Sequence, residues 1–77
     1  MVVDLVESYL VIGTLEAVGP QHVSFVDADL HDHRESNSTK EIYASETQKF
    51  GVRVNRKRLD VPRHLVVAVS RLADVVA

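Results

Sequence analysis

The stretch "DADLHDH", residues 27–33, places carboxylates and imidazoles at alternate positions. Successive side chains of a β-strand point to opposite faces, so residues two apart share a face. In one regular strand, a single face would carry four polar side chains: Asp27, Asp29, His31 and His33. Two carboxylates and two imidazoles are a workable ligand set for zinc, manganese or iron. The spacing therefore predicts a candidate metal site, with a divalent ion as the only cofactor.

A second interpretation of the same stretch needs no metal. Val23 and Phe25 would lie on the same face, nearer the N-terminus, so this face begins apolar and becomes polar partway along. A strand that leaves the core, or a β-bulge, produces the same change. On this interpretation Leu30 makes the last core contact, and residues 31–37 are an exposed segment that leads into a helix.

Basic residues that follow position 52 form the second candidate site. Arginine and lysine neutralise phosphates and release counterions, which is the sequence-independent part of nucleic-acid affinity. A solvated turn, or pairing with acidic residues, is the alternative. The cluster, with His64 beside it, predicts a basic face that binds RNA or another polyanion through Arg53, Arg56, Lys57, Arg58 and Arg63.

The length and composition predict a single domain, 1–77, without catalytic function. A chain of 77 residues is near the lower limit for a self-sufficient core, so we expect a homo-oligomer. The absence of cysteine excludes disulfides, thiolate ligands and a cysteine nucleophile. No serine lies in a nucleophile elbow, and no glycine-rich phosphate loop is present. The longest apolar run, Leu65–Val69, is too short to span a bilayer, and no targeting peptide is evident, so we expect a cytoplasmic protein with no membrane partner.

The net charge of −2 conceals two halves of opposite sign. Residues 1–48 contain nine acids and two bases (−7), whereas residues 49–77 contain seven bases and two acids (+5). Such a division is typical of a basic binding face or of complementary surfaces. A purely structural oligomer, in which the acidic half of one subunit contacts the basic half of another, is therefore a further hypothesis.

The first half of the sequence predicts a β-hairpin. Fifteen valines favour strands, because branching at the β-carbon suits a pleated surface. We predict a long strand over Tyr9–Val18, kinked at Gly13, where the missing side chain permits a bend or a close backbone approach. "GPQH", 19–22, predicts a turn, and 23–30 predicts the second strand.

The middle of the chain predicts a helix over 39–50. "STKE" matches a capping box, in which the Ser38 hydroxyl caps the helix and Glu41 reaches back. Gly51 is placed to end the helix in a left-handed conformation. A third strand over "EIYAS" is the alternative. If the helix forms, its apolar face consists of Ile42, Tyr43 and Phe50.

The last third of the sequence predicts two or three further strands. Pro62 cannot donate to a ladder and fits a corner between strands over "RLDV" and "HLVVAV". The run Leu65–Val69 lacks alternation, which indicates a strand covered on both faces, with another subunit as a candidate for one of the covers. The closing segment, 70–77, is compatible with a strand, a helical turn or an interface arm.

Two parts of the sequence resemble motifs of the Sm-like family of small SH3-like barrels, which assemble into rings and bind RNA. In "GTLEAVGPQHVSFVDA" the matching residues are Gly13, Leu15, Val18, Asp27 and Ala28, and "VPRHLVVAV", 61–69, is similar to the second motif. Gly19 stands where the family has an RNA-contacting aspartate, His22 is nearest to its asparagine, and Pro62 and Arg63 replace its Arg-Gly pair. The resemblance implies a small barrel and an RNA site that includes His22 and Arg63.

Together these patterns predict an α+β fold: a bent hairpin, a central helix, and strands that complete a small, partly open antiparallel barrel. The leading functional hypothesis is a self-associating RNA-binding module. A metal-binding or metal-stabilised interaction protein and a purely structural oligomer are the alternatives.

Overall fold

The computed structural model describes residues 1–35 and 38–76, which form one antiparallel sheet and one α-helix. The elements are β1 (Val2–Leu5), β2 (Tyr9–Val18), β3 (His22–Asp32), α1 (Lys40–Phe50), β4 (Arg56–Pro62) and β5 (Val66–Ser70). The five strands have the order β4-β3-β2-β1-β5, so β4 and β5 are the edges and the sheet is not closed. The predicted α+β class, with one central helix, is confirmed.

The predicted hairpin is confirmed as β2 and β3. Strand β2 has the predicted bounds, and β3 extends as far as Asp32, which pairs with Tyr9. At the turn, the backbone N–H of Gly19 donates to the carbonyl oxygen of His22 at 2.8 Å. His31 and Asp32 thus belong to the strand and not to the predicted exposed segment, whose last residues, 36 and 37, lie outside the described residues.

A β-bulge interrupts the hairpin opposite Gly13. Ile12 pairs with Asp29 and Thr14 with Val26, so two residues of β3 lie opposite one glycine of β2. The first of the two, Asp27, has a φ of 49°. A Cβ atom at Gly13 would lie 2.8 Å from the Cβ of Ala28, so the close backbone approach expected at this glycine is present.

The bulge reverses the alternation of side chains along β3. Phe25 before the bulge and Ala28 after it both contribute to the same buried cluster, on the face that we call the inner face. Asp29 and Ala28 are neighbours and point to opposite sides, so Asp29 turns toward α1. The inner-face cluster consists of Val3, Leu5, Val11, Phe25, Ala28 and Val61.

The other side of the sheet, the helix face, packs against α1. Its buried cluster consists of Val2, Leu10, Ile12, Tyr43 and Ala44. After β5, a 3₁₀ turn over Leu72–Asp74 places Leu72 and Val75 against this cluster. The Gln48 side chain holds the turn by donating to carbonyl oxygens of this segment, at 3.0–3.2 Å. The C-terminal segment therefore forms a helical turn, which was one of its three predicted forms.

Helix α1 begins and ends close to the predicted residues, but its cap differs. Thr39, not Ser38, is the N-cap, and its side chain accepts from the backbone N–H of Ile42 at 3.2 Å. The helix ends at Gly51 as predicted, and the N–H of Gly51 donates to the Thr47 carbonyl at 2.8 Å. Its φ of 91° is positive, but its ψ of 166° differs from that of the predicted left-handed helical conformation. Among the described residues, no helix has the length and apolar character that a bilayer crossing requires.

The predicted apolar face of α1 is wrong in two of its three members. Tyr43 is buried, but Ile42 is 51% exposed and Phe50 is 77% exposed. The buried residues are Tyr43, Ala44 and Thr47, at a helical spacing of one and four. The hydrogen bond from the Tyr43 hydroxyl to the Asp29 carboxylate sets this rotation of the helix.

The first strand, β1, was not predicted. It has only four residues and is followed by Glu7, which has a φ of 61° in the turn to β2. It lies between β2 and β5, and its Val2 pairs with Ile12 of β2 and with Ser70 of β5. Four residues are too few to show the side-chain alternation of a strand, so β1 is identified by its pairing with these two neighbours.

Strands β4 and β5 are joined by a 3₁₀ turn over Arg63–Leu65, which directly follows Pro62. The predicted corner at this proline is confirmed. Within the described chain, the predicted cover of Leu65–Val69 on both faces is not present, since β5 is an edge strand and Val67 and Val69 are 63% and 52% exposed. A cover by a second subunit stays a prediction.

Candidate functional site

A cleft at one end of the sheet brings together residues from two turns. The pairing of β3 with β4 places His22 opposite Pro62, which sets the β2–β3 turn beside the β4–β5 turn. The backbone N–H of Arg63 donates to the carbonyl oxygen of Gln21 at 2.9 Å and joins the two turns directly. We call this site the end cleft; it has a volume of about 510 Å³ and is lined by Pro20, Gln21, His22, Pro62, Arg63 and His64.

The end cleft presents hydrogen-bond donors to solvent. His22, Arg63 and His64 are all exposed. The Arg63 side chain is oriented by one hydrogen bond, because its Nη1 donates to the Gly19 carbonyl oxygen at 3.1 Å. A guanidinium has further N–H groups in a rigid fork that matches phosphate and carboxylate oxygens. The arrangement is therefore suited to an anionic ligand.

The other predicted basic residues do not converge on the end cleft. Arg58 pairs with Glu16 at 3.3 Å, and Arg56 donates from Nη1 to the carbonyl oxygen of Asn55. Lys57 lies between these two on β4 and points to the opposite face. Arg53 belongs to the connection between α1 and β4. Of the predicted nucleic-acid-binding residues, the structure thus brings together His22 and Arg63.

The four residues of the Asp/His stretch do not share one face. Asp27 is exposed in the bulge, and His33 begins a 3₁₀ turn at the end of β3. The shared face required one regular strand through 33, and the structure has instead the β-bulge of the alternative interpretation: the extra residue of β3 lies opposite Gly13, where the two backbones approach closely. Within residues 1–35 and 38–76, no three histidine, aspartate or glutamate side chains are grouped so that they could hold a metal ion.

Asp29 instead forms a buried polar cluster between the sheet and α1. It is 2% exposed, and its carboxylate accepts from the Tyr43 hydroxyl and, at 3.0 Å, from Nδ2 of Asn55. Burial and the neighbouring carboxylate raise the pKa of Tyr43 to about 12. The ring of His31 stacks on that of Tyr43 with centroids 3.7 Å apart and planes 6° apart. Asp29 therefore fixes the rotation of α1.

The side chain of Asn55 takes the place of a peptide unit beside β3. Its Oδ1 accepts from the backbone N–H of Leu30 at 2.9 Å, and its Nδ2 donates to the Leu30 carbonyl at 3.1 Å. The backbone N–H of Asn55 donates to the carbonyl of Ala28 at 3.0 Å. This residue connects the start of β4 to β3 and to Asp29.

A second carboxylate of the stretch has a local partner. Asp32 accepts from the side chain of Arg34, with 3.0 Å between Oδ2 and Nη2. Hydrogen bonds from the Arg34 guanidinium hold the pKa of Asp32 well below its usual range. Arg34 is exposed, so the pair contributes little to stability.

No family model, curated protein or solved structure matches this chain. Sequence reasoning missed the roles of Tyr43 and Asn55, because their partner Asp29 is identified only by the register of β3.

Proposed function

We propose that this chain is a non-catalytic, self-associating module that binds RNA, or a polyanion of similar charge, through the end cleft. The observation that carries the proposal is the convergence of Arg63 with two imidazoles, those of His22 and His64, on one exposed cleft. Two separate turns supply these donors, so a ligand in the cleft contacts both.

The chemistry of the cleft favours recognition of the nucleic-acid backbone over recognition of bases. Guanidinium and imidazole N–H groups bind phosphate oxygens, and such contacts carry no sequence information directly. The larger aromatic residues are absent from the lining of the end cleft, so stacking on bases contributes little there. We therefore expect binding that tolerates many sequences and weakens as salt increases.

The proposed architecture is a partly open small barrel, as the Sm-like resemblance implies. Support comes from the strand order, in which β5 returns to lie beside β1, and from the bend that the bulge gives to β2 and β3. The two turns that carry the Sm-like motifs lie at the same end of the sheet.

The first test is a salt series of binding to single-stranded RNA. We expect Arg63→Gln to weaken binding roughly tenfold and to reduce the slope of log K against log salt by about 1, because one phosphate contact is lost. His22→Ala should weaken binding less. Fluorescence anisotropy at several salt concentrations measures both effects.

Arg71 provides a matched control for this test. It is also an exposed arginine, and it pairs with Asp74 at the far end of the chain, so Arg71→Gln removes the same charge outside the cleft. Equal losses for Arg63→Gln and Arg71→Gln would indicate binding by net charge alone. A loss confined to Arg56→Gln and Arg58→Gln would transfer the site to β4.

Self-association is supported by an exposed apolar segment that runs from the last residue of α1 into the connection to β4. Phe50, Val52 and Val54 lie within five residues and are 77%, 37% and 50% exposed. Large exposed apolar groups that cluster are typical of interfaces. We expect the wild-type protein to sediment as an oligomer and Phe50→Ser to shift it toward the monomer.

The control for self-association is Ile42→Ser, which changes an apolar residue of α1 that is 51% exposed. It should leave the sedimentation coefficient unchanged. A wild-type protein that remains monomeric at high concentration would contradict the proposal. An oligomer that dissociates in salt but withstands Phe50→Ser would favour contact between the acidic and basic halves.

A further inference from the structure

An apolar groove on the inner face is separate from the end cleft. It has a volume of about 340 Å³, and it is lined by valines of β1, β2, β3 and β5 together with Leu15 and Phe25. Side chains at its rim are unusually open to solvent for apolar groups: Leu15 is 38%, Val18 60% and Val69 52% exposed. Arg63 is the one charged residue of the lining. The groove thus offers apolar contact along its length and one cation.

The strand that borders this groove is open on one side. Val66 and Val69 of β5 line the groove, and β5 is an edge of the sheet, paired with β1 alone among the described strands. The outer side of an edge strand presents N–H and C=O groups to which an extended peptide can add. The groove can then receive alternate side chains of that peptide.

We propose that β5 and the apolar groove bind the extended C-terminal segment of a partner protein, with its terminal carboxylate on Arg63. The segment has apolar side chains at alternate positions, including the last. Its backbone adds to the free edge of β5, and the apolar side chains enter the groove. This interaction goes beyond RNA binding and uses a different part of the molecule, with Arg63 as the shared residue.

The position of Arg63 fixes the direction of the bound segment. Arg63 begins the 3₁₀ turn that leads into β5, so it lies at the Val66 end of the strand and not at the Ser70 end. A peptide that runs antiparallel to β5, as β1 does, brings its C-terminus to this end. A parallel peptide would place its carboxylate beside Ser70. The cation therefore selects an antiparallel segment that terminates at the groove.

The charge and its geometry match a carboxylate. The Arg63 guanidinium is held by its hydrogen bond to Gly19, which leaves a fork of N–H groups for a second partner. Arginine binds carboxylates through two parallel hydrogen bonds. A free C-terminus carries such a group, whereas an internal peptide segment does not.

A short acetylated peptide of alternating threonine and valine, ending in valine, tests the proposal. We expect its titration to shift the backbone amide NMR signals of β5 and to leave those of β4 unchanged. The same peptide with a C-terminal carboxamide should bind roughly tenfold more weakly, because a charge-assisted hydrogen bond is lost. With Arg63→Gln, the acid and the amide should bind equally.

Two variants separate this site from the proposed RNA site. Val18→Asn places a neutral polar group at the exposed rim of the groove; it should weaken peptide binding and leave RNA binding unchanged. His22→Ala should weaken RNA binding and leave peptide binding unchanged, since His22 lines the end cleft and not the groove. Ile42→Asn, on α1, is the matched control and should affect neither. Equal melting temperatures of the variants show that each one folds.

Several results would overturn the proposal. Binding of the carboxamide as tight as that of the acid removes the role of the carboxylate, and signal shifts confined to β4 place the peptide on the other edge. Displacement of the peptide by butyrate at equal concentration would show that a small acid suffices. A wild-type protein that does not bind the peptide, and becomes monomeric with Val18→Asn, would show that a second copy covers the groove.

Discussion

Replacing Gly13 with alanine is expected to lower the free energy of unfolding by about 2 kcal/mol. The added Cβ would lie 2.8 Å from the Cβ of Ala28 and 2.9 Å from its Cα. Neither atom is the end of a flexible side chain, so the backbones of β2 and β3 must separate at the bulge. Denaturation in urea measures the loss, and an unchanged slope against urea shows that the unfolded state is unaffected.

A double-mutant cycle identifies the cause of this loss. Ala28→Gly removes the nearer of the two contact atoms, so Gly13→Ala should cost less in the Ala28→Gly background than in the wild type. The rescue is partial because the Cα of residue 28 remains. Gly19→Ala is the control, since the nearest atom there is 3.4 Å away. Additive losses at positions 13 and 28 would contradict a direct steric contact.

Replacing Tyr43 with phenylalanine is expected to cost about 2 kcal/mol at neutral pH. The hydroxyl of Tyr43 donates to the carboxylate of Asp29, which is 2% exposed. Without this donor the buried carboxylate keeps Asn55 as its partner and loses a hydrogen bond to a charged group. The free energy of unfolding, measured in urea at pH 7, tests the prediction.

The same variant should change the dependence of stability on pH. The pKa of Tyr43 rises from 10.0 to about 12 on folding, so the folded state favours the protonated hydroxyl. This contribution is fully present below pH 10 and is lost as the pH rises toward 12. The wild type should therefore lose more stability than Tyr43→Phe over this interval.

Tyr9→Phe is the control for the alkaline measurement, because Tyr9 is 39% exposed on β2. It should retain the wild-type decline. Parallel stability curves for the wild type and Tyr43→Phe between pH 10 and pH 12 would contradict a pKa of Tyr43 that is raised on folding.

The elements of this fold that follow from local chemistry were predictable. Strand formers on both sides of "GPQH" indicate the hairpin, and Gly51 marks the end of α1. The apolar-to-polar change along β3 made a bulge one of two interpretations, and the alternation could not decide between them, because the close approach that accommodates the bulge joins Gly13 and Ala28 across two strands. That single extra residue moves Asp29 away from the face that the spacing predicts.

The candidate sites, too, could be predicted only in part from local sequence. The Sm-like resemblance implies His22 and Arg63, which are far apart in sequence, and the register between β3 and β4 brings them to one cleft. Hydrophobicity and helical spacing predict Ile42, Tyr43 and Phe50 on the buried face of α1, but only Tyr43 is buried. Its hydroxyl donates to Asp29, and the helix is oriented with Phe50 outside. Both the end cleft and the buried face of α1 depend on contacts between residues that are far apart in sequence, and local sequence patterns do not show such contacts.

The amide of Asn55 also affects how the protein tolerates insertions and deletions before β4. It fixes the start of β4 against Leu30 by two hydrogen bonds, before the first residue of the strand itself. Residues 51–54, which belong to no helix or strand, therefore have no part in setting the register. Insertions or deletions in this connection can alter its length and leave β4, and the end cleft beyond it, in the same alignment.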